Sequence, residues 1–542
     1  MNFQRHLALG NLCISKQRYA QAREHLENAA RLQPKHAELR ALLGNVLIVL
    51  GEIDEAERAF RQGLEHDPDN VDLILGLATV HRGRGHFESA MESYRSAARL
   101  KPSDPQVLSN LAAACLEACE PDELIASCPE SARANPEALS HMVSALNYQS
   151  SLGSEVVAAA HRAWGLRCLQ DQHAKTAPRR RPVAAERSLR LGFVAKDFCQ
   201  HPVGRFAALL FSHLDRKRFE LSVYDNGSRA DAVNEHLKSL VPNWRNIREI
   251  SDEAAAHWIE QDQTDVLVDL AGHTIGNRLP VFARQPAPVQ IALFAYPSTT
   301  GLKTIQYRIT DPYADPPGLT EHLYTEELVR LRQTAWVYVP PVDLPVAGPS
   351  PALLNQSCVF GCLNNPMKLS KACVQLWGSI LRRLPQARLK LLAQDETHQI
   401  RLASRFASAG AAPGQLQFVP GADLPAYFAY HHGVDLMLDP FPYNGGVTTC
   451  DALWMGVPVV TLAGDSYLSR QGVSILSNVG LPQCIAATQE EFAQKAIAFA
   501  TIPSVLAELR NDLRVRVKDS PLMNYRDYTG ELGDSLDRLL GA

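Results

Sequence analysis

The sequence predicts two architectures in one chain: an α-helical repeat superhelix, then a two-lobed α/β region built on two Rossmann-like, doubly wound sheets. Three observations predict it. A 34-residue periodicity runs through the first hundred residues, strand-length apolar runs alternate with amphipathic stretches from residue 189 onward, and that alternation comes in two series separated by a proline-rich segment at 340–351. At roughly 100–200 residues per domain, the 542 residues make about three domains. The expected boundaries are 1–120 for the repeat array, 121–187 for a helical connector and linker, 188–345 for the first α/β lobe and 346–542 for the second.

The repeats rest on several positions that share one register. Pro34, Pro68 and Pro102 are 34 apart, as are Ala22, Ala56 and Ala90. Leu26, Phe60 and Tyr94 keep the same spacing, and so do Leu9, Leu43, Leu77 and Leu111. Gly10 and Gly44 continue as Ala78 and Ala112. Such a unit holds two short helices and two turns: small residues let the paired helices approach, the large apolar position fills the gap, and proline ends each unit. The pattern resembles the tetratricopeptide family, with three full repeats over about 1–102 and a fourth beginning at 103. Stacked repeats of this kind form a concave groove, which suits a protein or peptide partner; a spacer or dimerisation arm is the plainer alternative. Asp67-Pro68-Asp69 has the form of a metal–nucleotide triplet but falls in a repeat turn, so no metal site is expected there.

Beyond residue 120 the register fades. ALNY at 145–148 and AHRAWG at 160–165 read as helical, and the basic, proline-punctuated stretch 172–187 reads as a linker with Arg179, Arg180 and Arg181 solvated. The formal net charge of −4 argues against a nucleic-acid partner. No apolar run approaches the ~20 residues that cross a bilayer, and the start lacks a signal-peptide pattern, so a cytoplasmic protein is expected. Eleven cysteines include no CxxC pair. Cys115/Cys119 and Cys358/Cys362 lack matching ligand pairs, so reduced, buried thiols are expected rather than zinc or disulfides.

In the α/β region the first series of expected strands is 189–195, 219–225, 265–270 and 289–296; the second is 358–363, 388–393, 416–420, 434–439 and 457–462. Strand–helix alternation makes parallel sheets covered on both faces, with ligands at the carboxyl ends of the strands. The stretch 435–464 carries the most chemistry. A strand ending in Asp439 leads to Asn444, Gly445 and Gly446, then Val447, Thr448 and Thr449, where a helix opens near Asp451. Free N–H groups and the helix dipole suit a diphosphate, and the threonines add donors or caps. Asp451 suits a hydroxyl pair such as ribose; equally, it is a first-turn carboxylate beside a tight turn. Lys368 follows the first strand of the second lobe and would neutralise a leaving diphosphate, unless it is an ordinary surface lysine. His201 and His273 follow strands of the first lobe and are candidates for a base or orienting group, with a structural role as the alternative. The turn 296–302 suits sugar hydroxyls.

Taken in order, the repeats, HPVG at 201–204, DLAGHTIGNRL at 269–279, QPAPVQ at 285–290, YPSTTG at 296–301, LNNPMKL at 363–369 and the stretch at 442–462 resemble the O-linked N-acetylglucosamine transferase family, glycosyltransferase family 41, in its bacterial form. The resemblance implies a GT-B fold and an inverting, metal-independent transfer from UDP-N-acetylglucosamine to Ser or Thr of proteins held by the repeat groove. It needs no cofactor beyond the nucleotide-sugar donor. It also implies that Lys368 contacts the diphosphate and that Asn365 stands near the nucleotide, where the family often has Gln. Gly446, Val447, Thr448 and Thr449 would hold phosphate and Asp451 ribose. His201 would lie near sugar and acceptor, with His273, Tyr296, Pro297 and Thr299 in the same vicinity.

The chain departs from that pattern in places. Gly446-Val447 replaces the animal His-Thr, Ser298 replaces a glycine, and Lys196 replaces a serine. The loop also resembles a plant branch that uses GDP-fucose. GDP-fucose or UDP-glucose therefore remain alternative donors, a catalytically inactive repeat scaffold is a rival reading, and an enzyme acting on small sugar nucleotides is a third.

Overall fold

The computed structural model describes all residues except 1, 17, 103, 118–135, 172–186, 342–343, 346–347, 356, 394 and 542. Cys119, Arg179, Arg180, Arg181 and nearly all of the 172–187 linker lie outside the described residues. The chain divides into two compact units, 1–145 and 146–542.

The first unit is built of antiparallel helix pairs: α1 (Phe3–Ser15) with α2 (Tyr19–Leu32), α3 (Ala37–Val49) with α4 (Ile53–Leu64), and α5 (Val71–Gly83) with α6 (Phe87–Leu100), followed by α7 (Pro105–Glu117). The small-residue register has a direct steric cause. A Cβ on Gly44 would lie 2.4 Å from the Phe60 ring, and one on Gly10 would lie 2.7 Å from Leu26. Leu26, Phe60 and Tyr94 are fully buried in that role. Helix capping follows the same 34-residue step. The side chains of His36, Asn70 and Asp104 accept from the N–H groups of Leu39, Leu73 and Val107. Asp67 accepts from the Asn70 amide at 2.9 Å, so the Asp67-Pro68-Asp69 triplet is a capped turn.

The second unit holds two parallel sheets. The first is seven-stranded: β1 (Leu189–Ala195), β2 (Phe219–Asp225), β3 (Asn243–Asn246), β4 (Val266–Asp269), β5 (Val289–Ala292), β6 (Tyr307–Thr310) and β7 (Glu327–Arg330), in the order β3-β2-β1-β4-β5-β6-β7. The second has β8 (Val359–Cys362), β9 (Arg388–Leu392), β10 (Leu416–Val419), β11 (Leu436–Leu438), β12 (Val459–Leu462) and β13 (Ile485–Ala486), in the order β10-β9-β8-β11-β12-β13. Each order reverses direction once, between β1 and β4 and between β8 and β11. At such switch points the loops diverge and leave a crevice.

The nine expected strands all form: β1 and β2 with the expected bounds, the other seven shortened at their ends. Four others were not read from the sequence: β3, β6, β7 and β13. They have two to four residues each, and NWRN, YRIT and ELVR carry charged or amide side chains. Three of the four are sheet edges, where one flank is solvated and an apolar run is not required.

Two features hold the lobes as one unit. The last helix, Tyr525–Leu540, returns to the first lobe, where Tyr528, Leu532 and Leu536 join its core and Arg218 donates to Asp534 at 2.9 Å. Asp311, at the end of β6, accepts from the Ser474 hydroxyl of the second lobe at 2.7 Å. The helix Ser154–Asp171 belongs to this unit and lies against the loop after β5. A Cβ on Gly165 would sit 1.9 Å from the Gly301 carbonyl oxygen, and one on Gly301 would sit 2.0 Å from that of His161. The nine described cysteines are free thiols, eight of them buried.

Candidate active site

In the second lobe the loops after β8 and β11 come together at the switch point. Ser370 caps the helix Lys371–Arg383, and its hydroxyl donates to the Phe441 carbonyl at 2.6 Å, which joins the two loops. Lys368 ends the short turn Pro366–Lys368, which Asn365 caps by accepting from the Met367 N–H. The Lys368 ammonium donates to the Asn444 carbonyl at 2.7 Å and stands 4.0 Å over the Tyr443 ring. Burial holds this amine below the ordinary lysine range against the pull of Asp439. The same burial holds the Asp439 carboxyl above its ordinary range.

Asp439 shapes the turn. Its carboxylate accepts from the Gly445 N–H and from the Thr461 hydroxyl, both at 2.6 Å. The Gly445 amide is therefore engaged within the protein. The next three amides, of Gly446, Val447 and Thr448, have no acceptor among the described residues, because they open the helix Val447–Trp454. The Thr448 hydroxyl donates to Asn364 at 2.6 Å, a second tie between the loops. Asn444 Oδ1 and Thr449 Oγ1 are buried without partners there. The glycines are sterically required: a Cβ on Gly445 would lie 2.4 Å from Thr449 Oγ1, and one on Gly446 would lie 2.3 Å from the Trp336 ring. Trp336 fills the space beside Gly446, and its Nε1 is also buried without a partner among the described residues.

Asp451 lies one turn into that helix and is 3% exposed. It accepts from Tyr338 at 2.9 Å and from Tyr427 at 3.4 Å, and Arg205 stands 3.9 Å away. Burial pushes its carboxyl up to about 6, and Arg205 and the tyrosines pull the other way.

Arg205 connects this lobe to the other, because it sits on the helix Pro202–His213 that His201 caps. His201 Nδ1 accepts from the Val203 N–H at 3.2 Å. The tight loop depends on Gly204, whose Cβ would lie 2.0 Å from the Cys199 carbonyl oxygen. Burial holds the imidazole below the ordinary histidine range; Asp197 opposes this, and Lys196, Arg205 and Arg229 reinforce it.

The remaining first-lobe candidates form a separate buried cluster. Tyr296 donates to or accepts from two groups at its hydroxyl, Asn147 and His161, each at 2.7 Å. His161 Nδ1 lies 2.7 Å from the Val157 carbonyl, which it can only approach as a donor, so Nε2 is the acceptor for Tyr296 O–H. The Asn147 amide then donates to the same oxygen. His273 is fully buried, 2.9 Å from the Thr300 carbonyl and edge-on to Trp164 at 4.4 Å. The Thr299 hydroxyl donates to Glu326 at 2.6 Å. Arg308 backs the loop, donating to the carbonyls of Tyr296 and Ser298. Pro297, Ser298 and Thr299 line a cavity with Asn147 and, from the second lobe, Pro442 and Ser466.

The sequence reading missed Asn147, His161, Arg308, Asn364, Trp336 and Tyr443. A glycine in AHRAWG and the doubled asparagine after β8 were the available signals for two of these neighbourhoods.

A family model described as glycosyl transferase family 41 matches residues 141–339 and 348–532, and a tetratricopeptide repeat model matches 14–79 and 54–114. The chain is 36% identical over 394 residues to a protein from Oryza sativa subsp. japonica named probable UDP-N-acetylglucosamine–peptide N-acetylglucosaminyltransferase SPINDLY; the match covers 71% of this chain and 42% of that one. A similarly named Arabidopsis thaliana protein, SEC, is 29% identical, with 64% and 37% covered. The chain thus spans about two fifths of the length of these curated relatives. Among solved structures, a lysine-to-methionine mutant of the Thermobaculum terrenum O-GlcNAc transferase is similar with a TM-score of 0.85 and 31% identity, covering 93% of this chain and 97% of that one.

Proposed function

Because the chain belongs to glycosyltransferase family 41, we propose that it is a protein O-glycosyltransferase that moves N-acetylglucosamine from UDP-N-acetylglucosamine to Ser and Thr hydroxyls. The observation that carries this reading is the convergence of Lys368 with the three free amides of Gly446, Val447 and Thr448 at one helix opening. A diphosphate seated there meets the positive end of the helix dipole and one half-buried cation. Both interactions strengthen as the sugar–phosphate bond breaks and charge collects on the leaving group, so they favour the transition state. Asn365 and Asn364 border this seat. Asp451 keeps free lone pairs on both carboxylate oxygens, which suit a ribose diol.

The acceptor hydroxyl attacks the anomeric carbon from the side away from UDP and so comes from the first lobe. With Nδ1 of His201 accepting from Val203, the neutral ring carries its proton on Nε2. His201 therefore orients the reacting groups as a donor, and the acceptor proton passes to the departing diphosphate as the sugar–phosphate bond breaks and the new glycosidic bond forms. Pro297 and Ser298 line that side, Tyr296 and the fully buried His273 pack behind them, and Thr299 braces the loop through Glu326. The repeat unit binds the acceptor proteins, and the enzyme works in the cytoplasm; among the described residues no helix is long and apolar enough to cross a membrane.

GDP-fucose is the second donor reading, kept by the Ala295–Thr299 loop with its Ser298. Calorimetric titration of the full chain without metal, against UDP, GDP, UDP-N-acetylglucosamine, UDP-glucose and GDP-fucose, separates these. Preference for UDP and its N-acetylglucosamine conjugate supports the proposal. Preference for the guanine pair moves the donor to GDP-fucose, and binding of none supports an inactive scaffold.

A further inference from the structure

The segment that joins the two units carries two adjacent side chains that reach opposite lobes. Asn147 donates to the Tyr296 hydroxyl of the first lobe at 2.7 Å and is 2% exposed. The Tyr148 ring lies 5.0 Å from that of Tyr443 in the second lobe, tilted by 31°. Tyr443 in turn carries the Lys368 ammonium 4.0 Å over its face. The helix that follows repeats this double attachment: Ser154 donates to Asp465 of the second lobe at 2.9 Å, and His161 accepts from Tyr296 of the first. We propose that Asn147 and Tyr148 are positioning residues for transfer, acting on both halves of the site at once, Asn147 through Tyr296 and Tyr148 through Tyr443 and Lys368.

The proposal rests on the transferase reading and adds residues that neither nucleotide nor acceptor chemistry would single out. The last helix and the Asp311–Ser474 bond join the lobes elsewhere, and transfer also needs the acceptor wall and the leaving-group cation at a fixed distance from each other. One dipeptide, hydrogen-bonded to one side and ring-packed on the other, helps set that distance from a single stretch of backbone. The Tyr148 ring packs on Tyr443, whose face carries the Lys368 ammonium; the titratable groups facing Lys368 are Asp439, Cys362 and Tyr443.

The test uses full-length variants, transfer from UDP-N-acetylglucosamine to a mixed Ser/Thr peptide library, and pH profiles. Tyr148→Ala lowers kcat/KM on the order of 10–100-fold, the scale of a small misplacement of reacting groups. Tyr148→Phe, which keeps the ring, restores it. In Tyr148→Ala the alkaline limb of kcat/KM moves to higher pH, because Tyr443 loses its packing partner, covers the ammonium less closely and leaves it better solvated. Asn147→Ala and Tyr296→Phe each reduce kcat, and the double variant loses no more than the worse single one, since both remove the same bond. Wild-type rates and an unmoved limb in Tyr148→Ala, or additive losses in the Asn147/Tyr296 cycle, overturn the proposal. If Tyr148→Ala does not fold, the near-isosteric Tyr296→Phe cycle decides. If the wild-type chain transfers nothing, the transferase reading fails, and the pH dependence of UDP affinity in wild type and Tyr148→Ala judges the lysine link alone.

Discussion

At the scale of single residues, Lys368 concentrates the chemistry. It stands at the open helix end, hydrogen-bonded to the Asn444 carbonyl, and its partial burial favours the neutral amine. Lys368→Ala is expected to lose about 3 kcal/mol or more of transition-state stabilisation, read as a fall of at least two orders of magnitude in kcat with the thermal midpoint nearly unchanged. The pH dependence has a fixed sign. Burial lowers the lysine, its charged form serves the leaving group, and kcat/KM therefore declines with rising pH earlier than an exposed lysine near 10.4 would dictate. Gly446 is the second informative residue. Its missing side chain leaves room for Trp336, so Gly446→Ala overpacks the turn and costs about 1–3 kcal/mol in chemical denaturation, partly recovered by Trp336→Phe. The turn itself was readable in the sequence, since glycines followed by threonines after a strand have few other uses. The Trp336 contact was not, because 110 positions separate the partners and nothing local marks them.

At the scale of elements, legibility followed periodicity and length. The helix pairs declared themselves through a 34-residue step, and the central strands through apolar runs. The edge strands β3, β7 and β13 were hidden because their burial is partial and their side chains are ordinary loop residues. The helix Ser154–Asp171 is the instructive case. Its sequence placed it in a connector, yet its Gly165 and the Gly301 of the acceptor-side loop touch backbone to backbone. Gly301 also holds a left-handed φ of +74°. Gly301→Ala meets both strain and a clash, so it should release this helix from the loop. Hydrogen exchange over 157–165 and 296–301 is expected to rise together, while exchange in the second sheet stays as it was.

At the scale of the molecule, Arg205 on the helix after β1 reaches to 3.9 Å from Asp451 on the helix after β11, and the last helix returns to the first lobe. Fold class and family were legible because many weak motifs stood in one order. The buried cluster of Asn147, His161, Tyr296 and His273 was legible only in part, since histidines advertise themselves and the asparagine that completes the set does not. The central claim is transfer of N-acetylglucosamine to protein hydroxyls by a dipole-and-lysine site. The most direct measurement is intact-mass and fragmentation analysis of Ser/Thr peptides incubated with the full chain and UDP-N-acetylglucosamine in the presence of a chelator, beside Lys368→Ala. The account predicts N-acetylglucosamine on a Ser or Thr oxygen with wild type and nearly none with the variant. Transfer that appears only when manganese is restored, or that survives in Lys368→Ala, would contradict it.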